Sequence, residues 1–574
     1  MLETNLNRNQ DPSECLFSDE HVKQIKANYQ DWFENSLRDV DRESEGKYFT
    51  HSGIPIKLIY TPADIEHLSY TEDIGFSGHP PYLRGVYPNM YRGRFFTVRQ
   101  LAGLGAPEDC NERVCYLLDH GATGISILFD LPTVRGYNSD DPEAEGNVGA
   151  CGAAVDSIWD IDAFFKDIDL GTASTNIVTH LPSTSLVIPA MYFAVAEQRG
   201  TPWTSVAGTC QNDFIMETCV GSAPEILPPH ASFRMQCDVI EWICKNIPKW
   251  NPVSYNGYNL REAGTNAVGE VGTAIANAMA TADELIRRGM SIDDFAPRMS
   301  FFWDLHNDFF EEIAKCRASR KVWYQLMKGR YNAQNPKSLL MRFHVQTAGV
   351  TLPATEPLNN VARSAFQGMA AVLGGCQSLH IDSYDEAYSA PTEEAALLSL
   401  RTQQILQAET GVCSTVDPLA GSYYVEYLTE QMVKRIWDYI GKIEGMGGLV
   451  KAVEDGWLHR EISTYNMEYQ KKIESGDMKI VGVNFQAATE TETTAIEVYE
   501  YPETYSRQKS KLEKLRKDRS DTKVQESLDA LRNACHREEN LVPHCLEAVK
   551  NLVTLGEIEE AFREEFGLWA FPLL

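Results

Sequence analysis

The chain has 574 residues, 43% hydrophobic and 23% charged, an ordinary globular composition with room for one large domain and a smaller one. Its formal net charge of -29 disfavours nonspecific nucleic-acid binding, which needs a cationic surface, but does not exclude a local basic tunnel for a phosphate ligand. No run of about 18 apolar residues appears, so no membrane span is expected. The polar N-terminus MLETNLNRNQDPSE lacks a signal-peptide core, and the 13 scattered cysteines form no C-x-x-C pair. A cytoplasmic chain with reduced cysteines and no metal site of its own is the expectation.

Residues 1–45 are polar, with one helical stretch near His21 to Leu37, and read as an arm. From there to about residue 420, short apolar strands alternate with amphipathic helices. Strands are expected at Gly124–Phe129, Ser174–Thr179, Trp203–Ala207, Val253–Tyr258, Met299–Trp303, Ser338–Gln346 and Gln377–Ile381. Such alternation favours an eight-stranded parallel α/β barrel of the TIM type; a doubly wound sheet is the alternative, but no glycine-rich dinucleotide fingerprint supports it. Asp130, Gln211, Tyr258, Ser300 and Gln346 sit at or just past apolar runs, where a barrel carries its active-site face. Residues 421–574 are largely helical. Long helices are expected over Val425–Ile443 and Leu449–Ile473, a strand-like piece ends at Gly482–Phe485, and Glu490–Glu500 reads as a surface loop. Two apolar stripes follow, Val524/Leu528/Leu531 and Leu546/Val549/Val553, which could cover the barrel or hold a second chain.

The most informative stretch runs from Tyr91 to Pro142: YRGRFFTVRQLAGLG, then GATGISILFDLPTVRGYNSDDP. Arg94 and Arg99 precede a buried-looking strand, an arrangement suited to a phosphate-bearing ligand whose reactive end enters a closed interior. This block, with Gly208–Asp213, Phe295–Trp303, Gln377–His380 and Asp417-Pro418, resembles the large substrate-binding chain of the coenzyme B12-dependent acyl-CoA mutases. The resemblance implies a TIM barrel threaded along its axis by coenzyme A, with adenosylcobalamin capping the other mouth. A threaded barrel needs a lining of small and polar residues; Ser126, Thr175, Asn176, Thr209, Asn212, Ser254 and Asn256 fit that need.

By the same resemblance, Tyr87, Pro88, Asn89, Met90, Arg94, Thr97, Arg99, Gln100, Lys249, Arg298 and Ser300 would contact CoA. Gln211, Tyr258, Asn259, His344 and Gln346 would surround the thioester, with Thr209 in the substrate pocket. Glu262, Gly349, Gln377, Asp382 and Glu386 would meet the cofactor. The family's cobalamin module carries Asp-x-His-x-x-Gly. Asp304-Leu305-His306 begins like it, but Phe309 stands where glycine is required, and the segment follows a barrel strand. A separate small subunit carrying the cobalamin is therefore expected, in a hetero-oligomer built on a large-subunit dimer.

Four positions depart from the family. Leu101 replaces the tyrosine that methylmalonyl-CoA mutase places over its substrate. Leu128 stands where the family has a small residue or an aspartate. Gly221 replaces the arginine that clamps a carboxylate, and Glu217 to His230 holds no other arginine or lysine. Asn259 replaces a histidine against the thioester carbonyl; it can donate a hydrogen bond but cannot transfer a proton. A desolvated carboxylate partner contributes roughly 2–5 kcal/mol. The expected function is thus radical carbon-skeleton isomerisation of an acyl-CoA with a branched or bulky apolar acyl group and no free carboxylate. A non-catalytic partner subunit and a CoA-thioester-binding barrel with other chemistry are the alternatives.

Overall fold

The structure, a computed structural model, describes residues 15–38, 46–220, 225–487, 501 and 503–571. At its centre is a parallel sheet of nine hydrogen-bonded segments. Two of them are halves of one strand. We number the barrel strands β1 (Thr97–Ala102), β2 (Gly124–Leu128), β3 (Ser174–Val178), β4 (Ala207–Cys210), β5 (Lys249–Asn251, resuming as Val253–Asn256), β6 (Met299–Leu305), β7 (Phe343–Thr347) and β8 (Ser378–His380). Pro252 has no N–H to give to a ladder, so β5 breaks there. Its first half pairs with β4 and its second with β6, which closes the barrel. A helix follows every strand, from Pro107–Asp119 after β1 to Glu393–Ala408 after β8. The expected TIM barrel is what the chain builds.

Strand positions differ from expectation in several places, among them β5, which begins at Lys249 and ends at Asn256, with Tyr258 opening the next helix. β1 was read only as a ligand-contacting segment, because its Arg99 and Gln100 mask the period-two pattern. Residues 203–205 form a turn and β4 starts at Ala207, while Pro336–Leu339 is a 3-10 turn ahead of β7. Outward positions on the strands are bulky and apolar: Val98, Ile125, Ile177, Tyr255, Phe301, Trp303, Val345 and Leu379 are all at most 3% exposed against the helix ring. The core therefore lies between strands and helices and not along the axis.

The arm's helix spans Asp19–Asn35, capped by Ser18 Oγ accepting from the His21 N–H. After the barrel, helix Tyr423–Gly445 packs on helices Ala267–Arg287 and Phe309–Gly329. The single helix expected over Leu449–Ile473 is two, Leu449–Glu454 and Trp457–Ser475, because Gly456 takes φ of +69° between them. The strand-like piece near Gly482 is a tight turn closed by a bridge from Val481 to Phe485. The expected loop Glu490–Glu500 lies outside the described residues. Both C-terminal stripes are buried. Helices Val542–Lys550 and Leu555–Phe566 pack on Pro182–Gln198, and Trp569–Ala570 pairs with Glu225–Ile226. Helix Pro182–Gln198 is apolar all round, so one face against the sheet leaves another needing cover.

Among the described residues, no helix is long and apolar enough to cross a membrane, and no group of three His, Cys, Asp or Glu is placed to hold a metal ion.

Candidate active site

Most inward positions towards the N-terminal ends of the strands are small or polar. Asn176 Nδ2 donates to Ser126 Oγ (3.4 Å), Asn251 Nδ2 to Thr209 Oγ1 (3.3 Å), and Ser300 Oγ to the Val253 carbonyl (2.8 Å). These side chains satisfy one another across the wall and leave a cavity of about 220 Å³ on the axis. A TIM barrel is ordinarily filled by branched side chains at these positions. Two of the expected lining residues face outward instead. Thr175 Oγ1 lies 3.3 Å from Tyr192 Oη on the neighbouring helix, and Asn212 Nδ2 donates to the Gln236 carbonyl (2.9 Å).

The cavity opens at the N-terminal ends of the strands, where Tyr87, Met90, Arg94, Thr97 and Ser300 line it. Arg94 is exposed at the rim. Arg99 is inside the wall: its guanidinium donates to the Ile125 carbonyl (2.8 Å) and Ser174 Oγ (2.9 Å), and burial pushes its pKa down to about 10. Arg342, which the sequence did not single out, also lines this mouth. Lys249 is exposed at the start of β5. Pro88 and Asn89 line a neighbouring depression with Arg84 and Arg92.

Four sequence expectations change here. Arg298 donates to the carbonyls of Ile243 (3.3 Å), Cys244 (3.1 Å), Ile247 and Trp250, so it caps helix Pro229–Asn246 and has little left for phosphate. Gln100 points away from the axis, since Thr97, Arg99 and Leu101 take the inward positions of β1. Ser300 lies at the start of its strand and not at the end. Gln377 precedes β8 and lines the N-terminal mouth, donating to the Gly375 carbonyl (2.8 Å) and accepting from the Phe343 N–H (2.9 Å). It is therefore at the opposite end of the barrel from Glu262 and Glu386.

Deeper in, the expected thioester residues come together. His344 Nδ1 lies 2.7 Å from Ser378 Oγ. Burial, then Arg99 and His380, hold its pKa well below the usual imidazole range, so it is neutral. Its ring lies 4.9 Å from Phe302, which stacks on Tyr258 at 4.8 Å and 3°. Gln346 Nε2 donates to Tyr258 Oη (2.9 Å) and to Asp382 Oδ1 (2.8 Å). Asn256 Nδ2 donates to Gln211 Oε1 (3.4 Å) and Asn259 Oδ1 (3.2 Å). Leu101 and Leu128 are half-buried on adjacent inward positions of β1 and β2. Gly221 lies outside the described residues.

Past the C-terminal ends of the strands, carboxyls crowd together. Glu262 Oε2 accepts from the Val350 N–H (2.8 Å), and its carboxyl meets that of Asp304 in a further hydrogen bond. Burial first, then Asp382, pushes the Glu262 pKa up to about 8. Burial, Asp382 and Glu262 raise that of Glu386 well above the carboxylate range. A Cβ at Gly349 would sit 3.3 Å from Glu262 Oε2 and 3.5 Å from Tyr258 Oη, so the backbone here passes close to the carboxyl cluster. Carboxyls held this far up can both donate to and accept from hydroxyl groups of a ligand, which fits a ribose-bearing cofactor at this mouth. Asp304 and His306 do not pair. Burial and then Glu262 raise the Asp304 carboxyl, and His306 stands edge-on to His51 (5.3 Å) and Tyr469 (5.8 Å).

The Glu262 shift sets a stability expectation. Between roughly pH 4.3, where an unfolded Glu ionises, and about 8, the unfolded chain releases this proton and the folded chain keeps it. Stability therefore falls as pH rises through that window, by at most about 1.4 kcal/mol per unit. Glu262→Gln should flatten the decline and be more stable than the parent at pH 8 by about 1–3 kcal/mol. Urea melts at pH 5 and pH 8 measure it; parallel declines in both proteins would refute the assignment.

The fold is a parallel α/β barrel with a cavity on its axis lined largely by polar side chains. A family model described as methylmalonyl-CoA mutase matches residues 49–568, and the chain belongs to that family, whose chemistry depends on coenzyme B12. It is an acyl-CoA mutase, an isomerase of the intramolecular transferase type. The 2-hydroxyisobutanoyl-CoA mutase large subunit of Aquincola tertiaricarbonis is 40% identical over 551 residues, covering 95% of this chain and 97% of that protein. Methylmalonyl-CoA mutase of Escherichia coli (strain K12) is 37% identical, covering 95% of this chain and 76% of that protein. The mitochondrial methylmalonyl-CoA mutase of Homo sapiens is 36% identical over 523 residues, covering 91% and 68%.

Proposed function

We propose that this chain is the catalytic large subunit of a two-component, adenosylcobalamin-dependent mutase acting on an acyl-CoA without a free carboxylate. The observation that carries the reading is the distribution of charge along the bore. The cations lining the cavity, Arg94, Arg99 and Arg342, all belong to its N-terminal end. The inward positions beyond Arg99 on β1 and Ser126 on β2 are Leu101 and Leu128. An acyl group seated there meets aliphatic carbon, neutral amides and a neutral imidazole. A carboxylate would be desolvated without a partner, at a cost of several kcal/mol.

In this reading Arg94 and Arg342 meet the phosphates, the pantetheine arm follows the Thr209/Asn176/Ser254 lining, and Gln211, Asn259 and His344 hold the thioester. Glu262, Asp382 and Glu386 would receive the cofactor, with Gly349 close beside them. Adenosylcobalamin, when bound, supplies the radical that starts the rearrangement. The barrel orients the acyl group and keeps water out. A small cobalamin-carrying subunit is supported by the Aquincola relative, which is itself a large subunit. Exposed Val350, Leu358, Val481 and Phe485 offer it apolar contact beside the C-terminal mouth. Those segments adjoin, since Arg363 donates to the Val481 carbonyl (2.7 Å). The arm (1–45), the barrel (46–420) and the helical region (421–574) divide these roles as anchor, reaction chamber and cover.

The test combines the chain with such a small subunit, adenosylcobalamin and a panel of acyl-CoAs. Isobutyryl-type or larger branched thioesters should give a paramagnetic signal and an isomerised product, and methylmalonyl-CoA should not. Silence across the panel defeats the proposal. Joint Gly221→Arg and Leu101→Tyr substitution should shift binding towards dicarboxylic acyl-CoAs, and an unchanged preference would refute the pocket assignment.

A further inference from the structure

The amides near the thioester position have their orientation dictated by a backbone group. Asn256 is the last residue of β5, faces inward and is 0% exposed. The Asn259 backbone N–H, which can only donate, points at Asn256 Oδ1 (2.8 Å). That fixes which end of the Asn256 amide is oxygen. Its nitrogen then lies on the other side, where it donates to Gln211 Oε1 (3.4 Å) and to Asn259 Oδ1 (3.2 Å). Since both neighbours turn their oxygens towards Asn256, their own NH2 groups point elsewhere. Among the described residues neither Gln211 Nε2 nor Asn259 Nδ2 has a hydrogen-bond partner. Neither is a sealed, orphaned atom of the core, and Gln211 lines the cavity. The backbone of Asn256 is itself held, donating to Asp213 Oδ2 (2.6 Å), and Asp213 in turn is held by Asn277 Nδ2 (2.7 Å).

We propose that Asn256 is a positioning residue that turns Gln211 and Asn259 so that their two NH2 groups converge as a donor pair for the thioester carbonyl oxygen. The inference rests on the acyl-CoA reading above and adds a specific device to it. An isosteric carboxylate at position 256 would invert the device. Ionised at alkaline pH, where the variant is compared with the parent, it can only accept, so the neighbouring amides would rotate to donate to it and present their oxygens to the bore.

The probes are isobutyryl-CoA carrying a labelled thioester carbonyl and free CoA, which lacks that carbonyl, with the full chain. In the parent protein, bound isobutyryl-CoA should show its carbonyl stretch at lower frequency than in water. Asn256→Asp should abolish that displacement and weaken isobutyryl-CoA at least ~10-fold while leaving free CoA within about twofold, as expected for loss of two hydrogen bonds to one atom. Asn256→Ala adds no charge beside Asp213 and guards against misfolding of the carboxylate variant. It should weaken isobutyryl-CoA ~3- to 10-fold, again sparing free CoA. Equal losses for both ligands, or an unchanged carbonyl frequency in both variants, would overturn the role of Asn256 alone. Failure of the parent chain to bind either ligand would overturn the acyl-CoA reading together with this one.

Discussion

Thr209→Trp is expected to lower affinity for both free CoA and its thioesters by at least ~100-fold, about 2.7 kcal/mol, without unfolding the protein. Thr209 faces the bore from β4, with Asn251 Nδ2 3.3 Å from its hydroxyl, and an indole there would occupy much of the 220 Å³ cavity. An empty interior accepts added volume that a packed core rejects, so the urea midpoint should move little. The control is Thr175→Trp, one strand away but facing outward onto Tyr192. There the added bulk meets close-packed side chains and should cost about 1–3 kcal/mol or more. Calorimetric titration with CoA and urea melts read the two axes separately. Undiminished CoA binding by Thr209→Trp would show that the ligand does not pass along the axis.

Lys315→Met is expected to destabilise the fold by about 3–5 kcal/mol. Lys315 is fully buried, with its ammonium 2.7 Å from Glu270 Oε2 and 2.5 Å from Glu312 Oε2. Both carboxylates are also fully buried; Arg261 reaches Glu312 Oε1 at 3.2 Å and the Glu270 carboxylate only at 4.0 Å. Lys315 also donates to the Asp304 carbonyl, tying helix Phe309–Gly329 to the end of β6. Removing the ammonium leaves two carboxylates sharing one guanidinium inside the protein, and one of them must take up a proton. The double variant Lys315→Met/Glu270→Gln should recover part of the loss, because it removes the stranded charge as well. Denaturant melts of the three proteins decide this. A single variant within about 1 kcal/mol of the parent would mean that water reaches the cluster and screens it.

Much of the architecture was legible in the alternation of apolar runs and amphipathic helices, because every strand here packs one face against a helix. β1 was hidden because its Arg99 and Gln100 are polar for different reasons, one lining the bore and one buried behind the sheet. Side-chain identity alone could not separate the faces of a strand whose two sides both carry polar groups. The same ambiguity misplaced Thr175 and Asn212. Arg298 looked like a phosphate ligand, since a guanidinium serves a helix C-terminus as well as it serves an anion. Gln377 was placed at the wrong mouth because motif resemblance carries no direction along the axis; only the start of β8 at Ser378 supplies it. The cover over helix Pro182–Gln198 could have been anticipated, as SLVIPAMYFAVA has no polar face to give to water. The Asn256 relay could not, because it depends on which atom of an amide meets which backbone group.

The break at Pro252 reaches further than a missing ladder bond. Asn251 and Ser254 both face the axis although three positions separate them, so the strand carries one surplus residue at the break. Had the two-residue rhythm run on unbroken, Val253 and Tyr255 would project into the bore and Ser254 and Asn256 into the helix ring. A single imino acid therefore acts as a phase shifter for the rest of the stave. It decides whether the reacting end of the chamber is faced with a carboxamide or with isopropyl and phenol groups.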